Sequence, residues 1–168
     1  MYEGNVADFL SDEEVKALLA EEKRLPAGYS HRFVLKEKRG HGEFELDLDG
    51  TDGSAFRVVA RRSNFNLLDF SVILAYCAPG SNQVLRLRRY NGKSHEHTNP
   101  IERQTFYDFH IHTTTERYQR SGNREDTFAE VTDRYANVDQ AVECLFEDCG
   151  FIVPDELQPS LFRPRGGG

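Results

Sequence analysis

Hydrophobic and polar residues alternate along the middle of the chain with the period of a β-strand. Between residues 43 and 49, Phe44, Leu46 and Leu48 alternate with acidic side chains, which places the apolar residues on one face. A turn rich in Asp and Gly separates this segment from the next one. Six strands are predicted in this way, over residues 32–38, 43–49, 55–63, 67–77, 83–90 and 105–115, the last of which could extend to residue 119.

Helical periodicity is confined to the two ends of the chain. Near the N-terminus, Ser11 and Glu14 have the spacing of a capping box and precede an apolar face, which predicts a helix over residues 11–24. Near the C-terminus, Asn137 is suited to cap a second helix and Gly150 to end it. The apolar face of that second helix is predicted to consist of Val138, Ala141, Val142, Leu145 and Phe146.

The order of these elements predicts an α+β fold. Residues 67–77 form a nearly continuous apolar run, which is typical of a central strand buried on both faces. We therefore expect a curved antiparallel sheet or partial barrel of about six strands, with an N-terminal and a C-terminal helix. The whole chain, residues 1–168, is predicted to form a single domain with a loose tail from about residue 155.

The fifth predicted strand is rich in arginine. Simple alternation places Arg86, Arg88 and Tyr90 on one face of this strand and Arg89 on the other face. The segment Tyr90-Asn91-Gly92 then predicts a turn, because Asn and Gly accept a positive φ. That turn would deliver the residues that follow it to the rim of the sheet.

Composition limits the class of protein. The net charge is −7, and no apolar run reaches the length of about 18 residues that a membrane span requires. The start of the chain lacks the basic and apolar segments of a signal peptide. The chain has three cysteines and no Cys-x-x-Cys motif. We expect these cysteines to be reduced thiols: Cys77, Cys144 and Cys149. We therefore expect a cytoplasmic protein with no membrane partner.

The acidic net charge conceals a basic segment. Residues 54–93 carry a net charge of +6, whereas the residues before them carry −6 and those after them −7. A basic surface on an acidic protein suits RNA or another phosphate-bearing ligand. Alternatively, these arginines pair with the acidic flanks. The overall charge argues against a large non-specific DNA-binding surface.

Four of the six histidines lie within eighteen residues, in the pairs His95-Glu96-His97 and His110-Ile111-His112. Residues i and i+2 of a strand point to the same face, so each pair presents two imidazoles in one direction. If the two segments are neighbouring strands, four imidazoles converge on one patch. Imidazole titrates near neutral pH and is the commonest metal ligand, so we expect the chemistry of the protein at this patch.

One interpretation of the histidines is a cupin-like metal site. His95, His97 and Glu102 have the ligand types and spacing of the first cupin motif, in which two imidazoles and a carboxylate bind one divalent transition metal. The resemblance covers about eleven residues, and the second cupin motif is missing after residue 103. The candidate ligands are His95, His97, Glu102 and one of His110 or His112.

A second interpretation, which we favour on the sequence, is phosphodiester cleavage by general acid–base catalysis without a metal cofactor, as in RNases. His97 and His112 are then the acid–base pair, because they lie nearest to threonine side chains. His95 and His110 orient this pair or the substrate. The candidate phosphate-binding residues are Arg86, Arg88 and Lys93, and Tyr118 is a candidate proton donor.

A third interpretation assigns no catalysis to the chain. Histidines on strands often form hydrogen bonds within a sheet, and the chain would then be an acidic interaction protein. Its acidic faces would bind a basic protein partner. This interpretation predicts that histidine substitutions destabilise the fold and that neither metal binding nor nuclease activity is found.

Residues 85–99, with the sequence LRLRRYNGKSHEHTN, are followed by FHIHT at 109–113 and ERY at 116–118. In these motifs the chain resembles a family of small uncharacterised bacterial and phage-borne proteins. Proteins of this size on mobile elements are often toxins or phage-defence and counter-defence factors. The resemblance therefore favours a nucleic-acid ligand, and it implies no particular activity.

Overall fold

The computed structural model describes residues 9–155, so the predicted loose tail lies outside the described residues. The helices are α1 (Asp12–Ala20), α2 (Tyr29–Arg32), α3 (Glu116–Arg120) and α4 (Val138–Asp148). The strands are β1 (Lys23–Arg24), β2 (Lys36–Lys38), β3 (His41–Asp49), β4 (Ala55–Ser63), β5 (Phe70–Cys77), β6 (Val84–Asn91), β7 (His97–Asn99), β8 (Gln104–Phe106), β9 (His110–Thr113), β10 (Ala129–Val131) and β11 (Phe151–Ile152). None of the helices in this range is long and apolar enough to cross a membrane.

Seven of these strands form one antiparallel sheet in the order β10-β9-β6-β5-β4-β3-β2. The apolar strand β5 lies at its centre, where Val72 and Leu74 are fully buried. Helix α4 covers one face and contributes Val142 and Leu145 to the core. The predicted α+β fold with terminal helices is confirmed, and the sheet is open rather than closed into a barrel.

Both predicted helix caps are present. The Ser11 side chain accepts a hydrogen bond from the backbone N–H of Glu14, and the Asn137 side chain accepts one from Gln140. The N-terminal helix ends at Ala20 rather than at residue 24, because the chain then forms β1, which pairs with β11. The predicted strand over residues 32–38 is also shorter, since α2 precedes it and only β2 is extended.

The single strand predicted over residues 105–115 is wrong. Strand β8 pairs with β7 in a separate two-stranded sheet, whereas β9 lies in the main sheet between β6 and β10. The next residues form α3, which Thr115 caps, instead of an extension of the strand. Alternation of residue types could not locate the break between β8 and β9, because these strands differ in their pairing partners, which alternation does not reveal.

A β-bulge changes which arginines share a face. The pairing of β5 with β6 shifts register between Leu74 and Ala75, and such an insertion reverses the alternation in the rest of the strand. The Tyr90 hydroxyl reaches α4 on the core face, where it donates to Asp148 at 2.7 Å. The side chain of Arg89 therefore lies on the opposite face. The prediction that Arg86 and Arg88 share one uninterrupted face is wrong for this reason.

Gly92 lets the chain leave the sheet directly after β6. Its N–H donates to the carbonyl of Phe70 at 2.9 Å, and an added Cβ would lie 1.9 Å from the carbonyl oxygen of Leu68. The predicted turn with a positive φ at this position is wrong, because Gly92 is not among the described residues that have one. Glycine is required here for close backbone approach, which directs the next residues over the face opposite α4.

Candidate metal centre

Two of the histidines lie side by side on β9. The side chains of His110 and His112 are buried on the face opposite α4, whereas Ile111 between them packs towards the core. In the neighbouring strand β6, Asn91 pairs with His110 and Arg89 pairs with His112. Cross-strand partners share a face, so Asn91 and Arg89 flank the two imidazoles.

The third histidine of the cluster, His97, comes from the hairpin formed by β7 and β8. Asn99 fastens this hairpin to β10: its amide donates to the carbonyl of Ala129 at 2.7 Å and accepts from the N–H of Ala129 at 2.9 Å. The ring of Phe106 packs against His97 and His110, with centroid distances of 5.4 and 5.5 Å. The two histidine segments are therefore not neighbouring strands, which settles a point that the sequence left open.

The imidazoles of His97, His110 and His112 nevertheless converge. One ring nitrogen from each histidine lies within 4.8 Å of a ring nitrogen of each of the other two histidines. The centroid of the His97 ring is 5.3 Å from that of His110 and 4.7 Å from that of His112. His95 lies at the exposed margin of the cluster, with its centroid 6.1 Å from that of His110.

Hydrogen bonds fix the tautomers of the two histidines on β9. The Nδ1 atom of His110 lies 2.7 Å from the carbonyl oxygen of Asp108, and that of His112 lies 2.7 Å from the carbonyl oxygen of Asp126. A carbonyl oxygen can only accept, so each Nδ1 must carry the proton. In the neutral rings, each Nε2 therefore keeps an unprotonated lone pair, which is the state that a metal ligand requires.

The tautomer of His97 is fixed in a similar way. Its Nε2 atom lies 2.9 Å from Oδ1 of Asn99. The two hydrogen bonds to Ala129 fix the orientation of the Asn99 amide, so this oxygen is an acceptor and Nε2 of His97 carries the proton. While this bond is kept, the lone pair of His97 is on Nδ1. All three imidazoles thus donate to a fixed oxygen and keep one free lone pair.

Burial keeps the histidines of β9 neutral. It lowers the pKa of His110 from 6.5 to about 4 and the pKa of His112 from 6.5 to about 2. The positive charge of Arg89 further lowers the pKa of His112. At neutral pH both lone pairs are therefore available without competition from protons.

Among the described residues, the side-chain amide of Asn91 is the donor that approaches Nε2 of His110 and Nε2 of His112. Nδ2 of Asn91 lies 3.5 Å from Nε2 of His110 and 3.5 Å from Nε2 of His112. The orientation of this amide is set by Ser71, whose hydroxyl donates to Oδ1 at 3.0 Å. Both contacts are at the long limit for hydrogen bonds, so they compensate only weakly for the buried lone pairs.

The predicted cupin-like ligand set is only partly brought together. Glu102 is bound by Arg117 and by the hydroxyl of Tyr118, and it is not a member of the converging group. Tyr118, the candidate proton donor, is buried in this contact with Glu102. The sequence suggests either His110 or His112 as the fourth ligand, and both of these residues belong to the cluster.

The predicted phosphate-binding cations are mostly engaged elsewhere. Arg88 pairs with Asp148 at 3.6 Å, and Lys93 pairs with Asp108 at 3.7 Å. The backbone N–H of Arg86 donates to Glu125, and its carbonyl accepts from Thr114. The alternative interpretation, that the basic segment pairs with acidic residues, thus holds for Arg88 and Lys93.

Residues that the sequence did not indicate complete the site. Beside the cluster is a cavity of about 370 Å³ lined by Arg89, His95, His97, His112, Arg124 and Thr127. Arg89 lies opposite Tyr90, as alternation predicts, but it is not among the phosphate-binding residues that the sequence suggests, and neither is Arg124. Asn99 directly follows the H-x-H-T motif, and only its contact with Ala129 reveals its role.

No protein-family model, no curated protein and no solved structure matches this chain.

Proposed function

We propose that the chain is a metalloprotein whose divalent transition-metal ion is bound by His97, His110 and His112. The observation that carries the proposal is the tautomer pattern, in which each imidazole donates one N–H to a fixed oxygen and keeps one lone pair, in rings whose nitrogens lie within 4.8 Å of one another. Oxygen acceptors behind ligating histidines are the usual outer shell of metal sites. Imidazole ligands suit zinc, copper, iron and nickel.

Binding would require a small contraction of the cluster. Ligand nitrogens of a tetrahedral zinc ion lie about 3.4 Å apart, given zinc–nitrogen distances of about 2.05 Å. The ligand nitrogens lie within 4.8 Å of one another, so the longest of these distances must shorten by up to about 1.4 Å. His110 and His112 are held within the main sheet, so His97 on the short hairpin is the ligand that can move.

Three ligands indicate a catalytic rather than a structural site. Structural zinc sites use four protein ligands, whereas catalytic sites use three and leave a position for water or substrate. Here His97 and His112 of the cluster line a cavity together with His95, which leaves room for water or substrate beside them. A metal ion at this position would polarise a substrate oxygen or activate water. We therefore propose metal-dependent hydrolysis as the type of reaction.

Metal-independent acid–base catalysis is less well supported. That mechanism needs one histidine to deliver a proton, yet burial lowers the pKa of His112 to about 2 and that of His110 to about 4. Neither ring carries an extra proton at neutral pH, and each existing Nδ1 proton is held by a backbone carbonyl. His95, at the exposed margin, is the histidine best placed to exchange protons with solvent.

Metal titration tests the proposal directly. Chelator-treated protein without a histidine tag is titrated with Zn²⁺ by calorimetry and with Co²⁺ by visible absorption. We expect one equivalent to bind, and metal at 100 times its Kd should stabilise the fold by about 2.7 kcal/mol. His97→Ala should weaken binding by about 100-fold or more, because a ligand is lost while the β9 pair remains.

The matched control is His31→Ala, which removes an exposed histidine that is not a member of the cluster. This control should bind metal like the wild type. Equal metal affinity in the wild type and in His97→Ala would contradict the proposed ligand set. No binding by the wild type would contradict the proposal as a whole.

A further inference from the structure

We propose that the cavity beside the three histidines binds the phosphoryl group of a phosphate-ester substrate, through Arg89 and Arg124. The inference rests on the proposed metal centre for catalysis, but the two arginines are in place without a metal. Both line the cavity together with His97 and His112, so an anion bound to them lies next to the converging imidazoles.

One buried carboxylate holds both arginines. The side chain of Asp126 is fully buried, and its Oδ2 accepts from Nε of Arg89 at 2.9 Å, while its Oδ1 accepts from Nε of Arg124 at 2.8 Å. Two guanidinium groups on one carboxylate leave a local net charge of +1. Both bonds use Nε, so the Nη donors are not needed to hold the arginines in place.

The same residue also connects the arginines to the histidines. The backbone carbonyl of Asp126 accepts the Nδ1 proton of His112. One residue therefore fixes two cations through its side chain and one imidazole through its backbone. This arrangement sets the distance between the cationic side of the cavity and the proposed metal position.

A second cavity shows why this one suits an anion. A larger cavity, of about 650 Å³, also contains two arginines, Arg88 and Arg134, but it is lined by the carboxylates of Asp108, Glu130 and Asp133 as well. No carboxylate lines the cavity beside the histidines among the described residues. Asp126 behind the two arginines therefore cancels one of their charges, and the lining of this cavity adds no further acidic group.

A phosphoryl group suits this cavity better than a carboxylate does. Planar guanidinium groups bind phosphate through paired hydrogen bonds, and a phosphoryl group has more than two oxygens. It can therefore contact both arginines and still direct one oxygen towards the histidine cluster. A carboxylate has only two oxygens, so it could not place a separate oxygen at each arginine and at the histidine cluster.

The experiment compares phosphate binding in three proteins. Inorganic phosphate is titrated into wild type, Arg124→Gln and the control Arg120→Gln, each with Co²⁺ and without metal, by calorimetry. Arg124 is 51% exposed, so its substitution should leave the fold intact, and Arg120 is an exposed arginine paired with Glu116 on α3. We expect Arg124→Gln to weaken phosphate binding by about 10-fold and Arg120→Gln to have no effect.

Co²⁺ titration of the same variants separates this inference from the proposed function. If Co²⁺ binds normally but phosphate affinity is equal in wild type and Arg124→Gln, the phosphate site is wrong and the metal centre stands. If Co²⁺ does not bind but Arg124→Gln still weakens phosphate binding, the metal centre is wrong and the phosphate site stands. Acetate that binds as tightly as phosphate would overturn the choice of a phosphoryl ligand.

Discussion

Two buried polar clusters in this protein differ in how completely their hydrogen bonds are satisfied. Lys23 has no solvent exposure, and its ammonium lies at the C-terminal ends of α1 and α4. It donates to the carbonyl oxygens of Leu18 at 2.8 Å, Leu19 at 3.2 Å, Glu21 at 2.7 Å and Cys149 at 2.7 Å. Its three donors are thus fully used, and the ring of Phe56 lies 4.4 Å away.

The histidine cluster has the opposite character. His97, His110 and His112 each use one nitrogen as a donor, while the other nitrogen has, within residues 9–155, at most a weak contact with the amide of Asn91. The ammonium of Lys23 has no donor left with which to bind anything further. Buried lone pairs without strong donors cost stability, and a metal ion could use them.

The largest effect should follow substitution of the buried lysine. Lys23→Met keeps most of the side-chain volume but leaves helix-terminal carbonyl groups buried without a donor. We expect unfolding in urea to become easier by about 3 kcal/mol, with metal affinity of the folded protein unchanged. Lys16→Met, at an exposed position of α1, should change stability by less than about 0.5 kcal/mol. Equal stability of the two variants would contradict a structural role for Lys23.

Acid should destabilise the metal-free protein through the histidine cluster. Burial lowers the pKa values of His110 and His112, so below pH 6.5 the unfolded chain binds protons that the folded chain does not. Their contribution to stability is therefore complete above pH 6.5 and is lost as the pH falls towards the folded pKa values. Between pH 6.5 and 5.5 we expect a loss of about 2 kcal/mol.

Urea unfolding with chelator at these two pH values measures that loss. Model carboxyl groups titrate near pH 4, below this window, so their contribution is small. His110→Gln should remove about half of the pH dependence, because one of the two shifted groups is gone. If its pH dependence matches that of the wild type, His110 is not the source of the effect.

The smallest effect should be that of His97→Ala on the metal-free protein. His97 is half-buried and contributes one hydrogen bond, to Asn99, so we expect a loss of less than about 1 kcal/mol in chelator. The same variant should lose the stabilisation that metal gives the wild type. A loss in chelator as large as that of Lys23→Met would show that the cluster is a structural element like the lysine site.

The local chemistry of the sequence was sufficient to predict several elements. Ser11 with Glu14 and Asn137 with Gln140 identified the starts of α1 and α4, because caps act within three residues. The strands β3, β4 and β5 were predicted because they alternate or are continuously apolar. The sequence also indicated the histidines of the cluster, since their residue types and close spacing are visible in one dimension.

Tertiary structure alone decided how those histidines meet and which residues surround them. The pairing of β6 with β9 placed Arg89 beside His112, and Gly92 turned the chain so that His97 lies over β9 from a separate hairpin. The acceptors that fix the tautomers are mostly backbone carbonyls, whose chemistry is the same in every residue. Sequence therefore determined which ligand types are available, whereas long-range pairing determined where their protons are and where their lone pairs point.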